Sequence, residues 1–211
     1  MPRPRRRGPG RDAPPGELRL IAGEHRGRKL KVPPGQVARP MRNAVREALF
    51  NVLGPIEGLA ALDLFAGSGS LGFEALSRGA RAVTFVERAA PCLAVLAENL
   101  ELLQAGDRGK VARHDLSRGL PREPRDPIEL VFMHPPFPLL RERPGPHEAN
   151  VEALIAEVAQ DPRFAGGRLA FETPRELAYP DPRLHAWGFS AVWRRDYGTT
   201  CLLVCDIPSN A

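Results

Sequence analysis

The sequence predicts an α/β protein built on one doubly wound sheet, in which most strands run parallel and a C-terminal hairpin is antiparallel. From Leu59 onward, short apolar runs alternate with segments whose apolar residues recur at helical spacing. This alternation is typical of parallel strands covered on both faces by right-handed helical crossovers. Only a turn at Tyr197 and Gly198 separates the last two apolar runs, which is too short for a crossover. That pair is therefore expected to form an antiparallel hairpin at the end of the sheet.

The individual elements follow from periodicity and from the residues that end each run. Strands are predicted at residues 60–65, 82–86, 110–113, 128–133, 168–172, 187–193 and 200–206. Helices are predicted at residues 70–77, 91–103 and 148–159. A small extension precedes them. Alternating apolar residues around Gly23 and Gly27 predict a short hairpin with a basic tip, and a helix begins at Asn43 and ends at Gly54-Pro55.

Length and charge divide the chain into three segments. The 211 residues allow one domain with extensions. Residues 1–16 are mostly Pro, Gly and Arg, which cannot offset the entropy of ordering, so they are predicted to be a disordered basic arm. Residues 17–54 form the extension, and residues 55–211 form the sheet domain. The net charge of +5 is concentrated in the first 50 residues, and the remainder is net acidic. A polyanion held at the N-terminal end is therefore expected.

Composition argues against several classes of protein. There is no apolar run of about 18 residues and no secretory signal at the start, so a soluble, cytoplasmic protein without a membrane partner is expected. The three cysteines show no paired spacing, which indicates neither a disulfide framework nor a zinc site. We therefore predict no metal, and we expect a monomer.

The segment after the first sheet strand carries a cofactor signature. Gly67, Gly69 and Gly72 match G-x-G-x-x-G at the opening of a helix, and Glu87 follows Gly67 by twenty residues at the end of the next strand. Glycine lets the backbone approach a cofactor, and a strand-end carboxylate accepts hydrogen bonds from ribose hydroxyls. The same spacing fits a dinucleotide site and an S-adenosylmethionine site.

Three further features favour S-adenosylmethionine over a dinucleotide. Asp63 lies inside a strand that would be apolar in a dinucleotide fold, and a charge there needs a ligand or a hydrogen-bond partner. Asp115 follows the third strand, where a side chain can meet the adenine edge. The His134-Pro135-Pro136-Phe137 turn follows the fourth strand, and it has no role in hydride transfer. Phe65 packs either under the cofactor or in the core.

With these residues assembled, the chain resembles the RsmD-type family of small-subunit ribosomal RNA guanine-N2 methyltransferases, from Leu18 to about Cys205. The resemblance rests on Arg19-Leu-Ile-Ala-Gly, Arg26-Gly-Arg-Lys-Leu, Arg39-Pro40, Val45-Arg-Glu-Ala-Leu-Phe-Asn, Leu62-Asp-Leu-Phe-Ala-Gly-Ser-Gly and Pro135-Pro-Phe. It implies a seven-stranded Rossmann-like methyltransferase sheet, an RNA-contacting N-terminal extension, S-adenosylmethionine as methyl donor, and a guanine amine of 16S ribosomal RNA or of the small ribosomal subunit as acceptor.

The resemblance also implies which residues form the site. The catalytic residues would be His134, Pro135, Pro136 and Phe137. The cofactor would be held by Asp63, Phe65, Ala66, Gly67, Ser68, Gly69, Glu87 and Asp115. RNA phosphates would be bound by Arg26, Arg28, Lys29 and Arg39.

This sequence departs from the family pattern at two places. The catalytic turn of the family begins with Asp or Asn, and here it begins with His134. The segment after Pro40 is usually Thr-Thr(or Ser)-Asp-Arg, and here it reads Met41-Arg42-Asn43-Ala44. Two alternatives therefore stand beside the methyltransferase hypothesis. One is a catalytically weakened or inactive RNA-binding relative that acts in ribosome assembly, and the other is a methyltransferase of the same fold with another substrate.

Overall fold

The computed structural model describes residues 18–34, 40–141, 145, 148–177 and 179–209. The strands are β1 (Leu18–Arg19), β2 (Lys29–Leu30), β3 (Ala60–Leu64), β4 (Ala82–Glu87), β5 (Gly109–Arg113), β6 (Leu130–Met133), β7 (Arg168–Pro174), β8 (Ala191–Tyr197) and β9 (Thr200–Asp206). The helices are α1 (Asn43–Leu53), α2 (Ser70–Ser77), α3 (Ala90–Leu102), α4 (Pro138–Arg141), α5 (Val151–Gln160) and α6 (Asp181–Trp187). None of these helices is both long and apolar enough to cross a bilayer. The predicted arm and Arg39 lie outside the described residues.

Seven of the strands in the described part of the chain form one sheet, in the order β5-β4-β3-β6-β7-β9-β8. The first five run parallel, and β9 lies antiparallel between β7 and β8. Buried apolar residues form one core cluster on each face of the sheet. The predicted fold class is therefore confirmed, including the antiparallel hairpin. The carboxyl ends of the five parallel strands meet at one edge, which we call the carboxyl edge.

The C-terminal part of the chain differs in one place from the sequence prediction. The strand predicted at residues 187–193 begins only at Ala191, and Trp187 is the last residue of helix α6. Pro182 in the first turn suits a helix start, and Gly188 ends the helix in a left-handed conformation with φ 116°. Seven residues are too few for the periodic pattern on which a sequence-based assignment depends, which explains why this helix was missed.

The N-terminal extension forms the predicted hairpin and helix, and it is fastened to the sheet domain through one buried carboxylate. Glu74 of α2 accepts hydrogen bonds from the backbone N–H groups of Ile21 and Ala22 at 2.9 and 3.1 Å. The same carboxylate accepts a hydrogen bond from Arg78 Nε at 2.8 Å and lies 3.5 Å from Nε of Arg46. The extension therefore shares a core with the sheet.

Arg46 depends on Glu74 for its charge compensation. Its side chain is fully buried, and its Nε and Nη1 atoms have no hydrogen-bond partner. Burial lowers the pKa of the guanidinium, while the negative charge of Glu74 raises it. A buried cation needs a nearby anion, because transfer of an unpaired charge out of water is costly.

The hairpin lies at the edge of the sheet opposite the carboxyl edge. A Cβ on Gly23 would lie 1.6 Å from the carbonyl oxygen of Ser77, the last residue of α2. Arg28 donates a hydrogen bond to the carbonyl of Leu102, the last residue of α3. In a parallel sheet these helix ends lie where the strands begin. Because α3 has 13 residues, its ends are roughly 20 Å apart.

Replacement of Glu74 by Ala is expected to destabilise the protein by about 3–5 kcal/mol, because the Arg46 charge is left buried without a partner. Urea denaturation measures the loss of free energy of unfolding. The matched control is Glu47→Ala on the exposed side of α1, which should change stability by less than about 0.5 kcal/mol. A loss below 1 kcal/mol for Glu74→Ala would contradict this account of the buried ion pair.

Candidate active site

A cavity of about 720 Å³ opens at the carboxyl edge of the sheet. Its size is within the range of small-molecule binding sites. One half lies at the ends of β3, β4 and β5 and is lined by Phe65, Ala66, Gly67, Ser68, Ser70, Val86, Glu87, Arg88, Ala89, Cys92, His114, Asp115 and Leu116. The other half lies at the ends of β6 and β7 and is lined by Pro40, Met41, Arg42, His134, Pro135, Pro136, Phe137, Pro138, Leu139, Ala149, Glu172 and Thr200. We call them the cofactor half and the acceptor half.

The turn after β3 bends through residues with positive φ. Phe65 has φ 58° and Gly67 has φ 54°. A bulky residue such as Phe in this left-handed region is an outlier, and such outliers concentrate at binding sites. Phe65 both lines the cavity and packs against the core cluster on one face of the sheet. Phe65 is therefore part of both the cavity wall and the core, and its packing under a cofactor stays a prediction.

The other two glycines of the motif serve packing. Neither Gly69 nor Gly72 lines the cavity. A Cβ at Gly69 would lie 2.5 Å from the ring of Phe73, and a Cβ at Gly72 would lie 2.3 Å from the ring of Phe85 on β4. Gly72 thus lets helix α2 pack closely on β4, and Gly69, with φ 74°, leaves room for the side chains of Phe73 in α2 and Leu96 in α3. Of the three glycines only Gly67 lines the cavity, so close approach of the backbone to a cofactor stays a prediction for Gly67 alone.

Asp63 lies beneath the turn and does not line the cavity. Its side chain is 2 % exposed, and Oδ2 accepts a hydrogen bond from the backbone N–H of Gly72 at 3.0 Å. Burial raises the pKa of this carboxyl to about 8, against the opposing effect of the Gly72 hydrogen bond and with a further increase from the charge of Glu87. Asp63 therefore holds the start of α2 as a group that is largely uncharged at neutral pH, and its side chain is directed to the backbone of α2.

Glu87 binds three backbone N–H groups at the base of the cofactor half. Its Oε2 accepts a hydrogen bond from Gly67 at 2.9 Å, and its Oε1 accepts from Arg88 at 2.7 Å and from Ala89 at 2.9 Å. A carboxylate has about four lone-pair sites. One acceptor site on a fixed oxygen therefore remains for a ligand hydroxyl.

Asp115 closes the cofactor half at the end of β5. Its carboxylate accepts a hydrogen bond from the backbone N–H of Ser117 at 3.0 Å and lies 3.4 Å from Nη1 of Arg88. The Ser117 hydrogen bond, together with the charge of Arg88, holds the pKa of Asp115 below its usual value. The neighbouring Val86 and Leu116 are buried and apolar, which suits a flat aromatic ring between them.

The acceptor half contains a hydrogen-bonded side-chain pair that the sequence analysis missed. Nε2 of His134 lies 3.0 Å from Oε2 of Glu172, whose residue is only 5 % exposed. Burial alone would raise the pKa of Glu172. The hydrogen bond and charge of His134, a hydrogen bond with Thr200 and the charge of Arg42 reverse that effect, so the pKa is lower than usual. Glu172 is therefore an ionised carboxylate at the wall of the cavity.

Arg42 joins the N-terminal extension to the acceptor half. One of its Nη2 hydrogen bonds goes to the carbonyl of Tyr197 at 2.9 Å, and another goes to Oγ1 of Thr200 at 3.4 Å. The preceding residue, Met41, donates its backbone N–H to Oγ of Ser70 at the start of α2. The segment that departs from the family pattern thus forms a wall of the cavity.

The structure brings together most of the predicted site residues and separates a few. Phe65, Ala66, Gly67, Ser68, Glu87, Asp115 and the turn at residues 134–137 share the cavity, whereas Arg26, Arg28 and Lys29 lie on the hairpin at the opposite edge. Glu172, Arg42 and Thr200 were not proposed from the sequence. Glu172 had a detectable signal, since a charged residue inside the apolar run of β7 is the same anomaly that identified Asp63.

Comparison with known proteins gives a consistent set of relatives. The family model described as Conserved hypothetical protein 95 matches residues 18–204. The protein YlbH of Bacillus subtilis (strain 168) is 38% identical over 168 residues, which cover 78% of this chain and 86% of YlbH. Ribosomal RNA small subunit methyltransferase D of Escherichia coli (strain K12) is 43% identical over 123 residues, which cover 58% of this chain and 61% of the relative.

Solved structures agree with the fold. The protein yhhF from Escherichia coli superposes with a TM-score of 0.74 and 32% identity, covering 92% of this chain and all of yhhF. The Thermus thermophilus 16S rRNA N2 G1207 methyltransferase RsmC, solved with AdoMet and guanosine, has a TM-score of 0.67 at 22% identity and covers 92% of this chain and 50% of that one. The second likeness shows the fold alone.

Replacement of Asp63 by Asn should make the free energy of unfolding fall less steeply as pH rises. The folded-state pKa of about 8 lies above the unfolded value of about 3.9, so the folded state binds the extra proton between these values. Stability from this group is lost as pH rises through that window, by up to about 1.4 kcal/mol per pH unit. Asn keeps an acceptor for the Gly72 N–H without a charge.

Urea denaturation between pH 5 and 8 measures this effect as the difference between wild type and variant. The difference should move in favour of Asp63→Asn as pH rises. Asp107→Asn on the surface is the matched control and should show a constant difference. A constant difference for Asp63→Asn would disprove the assignment of a raised pKa.

Proposed function

Because the chain belongs to the RsmD family, described as Conserved hypothetical protein 95, we propose that it methylates ribosomal RNA. The methyl donor is S-adenosylmethionine, and the acceptor is the exocyclic N2 of a guanine in 16S RNA of the small subunit. The family predicted from the sequence motifs is confirmed by the match over residues 18–204. Donor, acceptor atom and residue roles are the parts that we propose.

One observation carries the proposal: a single cavity joins the glycine turn to the His134-Pro135-Pro136-Phe137 turn. Group transfer between two bound molecules requires both reacting atoms in one water-poor space, and their alignment supplies much of the acceleration. The two halves lie side by side because β3 and β6 are neighbours and Leu64 is in register with Met133. The residues that follow both strands are therefore adjacent.

The cofactor half has the donors and acceptors that S-adenosylmethionine requires. The free acceptor site on Glu87 suits one ribose hydroxyl, Asp115 suits the adenine amine, and Val86 with Leu116 suits the faces of the ring. Ala66, Gly67 and Ser68 also line the cavity. The bound cofactor would supply a methyl group that is already activated by a positively charged sulfur.

The acceptor half would orient an amine that is a poor nucleophile. The lone pair of an aromatic amine is delocalised into the ring, so it must be turned toward the methyl group by acceptors that hold its two hydrogens. The carbonyl of Pro135 is one acceptor. Phe137 is half-buried beside it and can stack on a base that has been flipped out of the RNA.

His134 stands where the family has Asp or Asn. Its contact with Glu172 decides which ring nitrogen donates a hydrogen bond and which can accept one. Nε2 faces the ionised carboxylate of Glu172, so Nε2 carries the proton that it donates. In the neutral ring Nδ1 is then the acceptor. The acceptor half thus still contains a carboxylate, but Glu172 of β7 supplies it and the first residue of the turn does not. This favours an active enzyme over a weakened RNA-binding relative.

Basic residues at two places would bind the RNA backbone. Arg42 lies at the cavity, where it can meet the phosphate of the target nucleotide. Arg26, Arg28 and Lys29 are exposed on the hairpin, so they would bind RNA segments distant from the target base. Such phosphate contacts would supply affinity that decreases with salt.

The test is incubation of unmethylated small ribosomal subunits with labelled S-adenosylmethionine, followed by mapping of the methylated nucleotide. Label is expected on N2 of one guanine, and label on an adenine or on protein would refute the proposed acceptor.

Glu87→Ala should raise the dissociation constant for S-adenosylmethionine at least about tenfold in calorimetry, because the turn loses its acceptor. The matched control, Glu101→Ala on the exposed end of α3, should bind normally.

A further inference from the structure

We propose that Glu172 selects guanine as the target base by accepting hydrogen bonds from its N1–H and from one hydrogen of its N2 amine. The proposal rests on the proposed function and deepens it, because it names the residue that recognises the base. His134 is the positioning residue that holds this carboxylate. Neither role follows from the motif at residues 134–137 alone.

The position of Glu172 follows from sheet register. Phe171 of β7 pairs with Met133 of β6, so the next residues along the two parallel strands, Glu172 and His134, lie side by side at the carboxyl edge. Both side chains line the cavity. The side chain of Glu172 is 6 % exposed and that of His134 is 23 % exposed, so the carboxylate is the more deeply buried of the two.

The carboxylate is fixed and charged before any ligand arrives. His134 binds Oε2 at 3.0 Å, and the hydroxyl of Thr200 and the guanidinium of Arg42 also lie close enough to lower its pKa. Arg42 in turn is held by Tyr197 and Thr200. A buried carboxylate with this support is held in place, and Glu172 lines the cavity with acceptor sites left for a ligand.

The chemistry of guanine matches such a group. Its Watson–Crick edge presents N1–H and N2–H side by side, and a carboxylate offers two acceptors at similar spacing. Adenine presents an acceptor at N1, which would face the negative charge. One hydrogen of N2 then remains for the Pro135 carbonyl, so both hydrogens are held and the lone pair points out of the ring plane. Buried polar groups left unpaired by a wrong base give strong discrimination.

The sharpest test uses Glu172→Gln with two RNA substrates. One carries guanine at the mapped nucleotide, and the other carries 2-aminopurine, which keeps the N2 amine but has an acceptor at N1. The wild-type chain should methylate guanine at least about 100-fold faster than 2-aminopurine, because its carboxylate opposes the N1 lone pair. The Gln amide can donate to that lone pair and accept from N2–H.

The variant should therefore lose about 100-fold in kcat/KM on guanine and much less on 2-aminopurine, so that the preference falls below about tenfold. Glu176→Gln, an exposed substitution just beyond β7, should keep the wild-type preference. The affinity of Glu172→Gln for S-adenosylmethionine and its Tm report its folding. A merely structural role would lower both rates by the same factor.

The outcomes distinguish a failure of the role proposed for Glu172 from a failure of the proposed function. A wild-type chain that methylates guanine and 2-aminopurine equally well overturns the role of Glu172 even if the variant does not fold. Unchanged discrimination in a folded Glu172→Gln protein overturns it as well and leaves the proposed function standing. A wild-type chain that labels no guanine of the small subunit overturns both.

Discussion

The carboxylate of Glu87 is the contact on which the shape of the cavity depends. It binds backbone N–H groups from two loops, that of Gly67 after β3 and those of Arg88 and Ala89 after β4. Without Glu87, the N–H groups at the start of α3 and in the turn after β3 would lack hydrogen-bond partners. One side chain therefore satisfies the donors of both loops. The turn is thereby held open toward the neighbouring β6, and the two halves of the cavity meet.

Two buried carboxyl groups at the same edge show how partners decide charge. Asp63 has one backbone N–H donor and little else, so burial dominates and its pKa rises. Glu172 is nearly as buried, but His134, Thr200 and Arg42 surround it, so its pKa falls. The first is suited to hold a turn, and the second is suited to meet a ligand. Burial alone would not have distinguished them.

The sequence predicted the elements with strong periodicity and the residues that belong to local motifs. The strands from β3 to β7, helices α2 and α3, and the turns at residues 65–68 and 134–137 were found in this way. Helix α6 was missed because seven residues carry too little pattern, and Glu172 was missed because its partner His134 is distant along the chain. The basic hairpin is far from the cavity because it contacts the C-terminal ends of α2 and α3. That arrangement depends on how the helices run across the folded sheet, which a local sequence pattern does not show.

The position of β9 has a consequence for synthesis on the ribosome. The cofactor half is complete once the chain has reached Leu116, but the acceptor half requires Thr200, the first residue of a strand that inserts between β7 and β8. The residues of the cofactor half therefore leave the ribosome well before the last residue of the acceptor half. The wall of the acceptor half is complete only when Thr200 of the last strand has been made, so a chain that ends before β9 would lack part of this cavity.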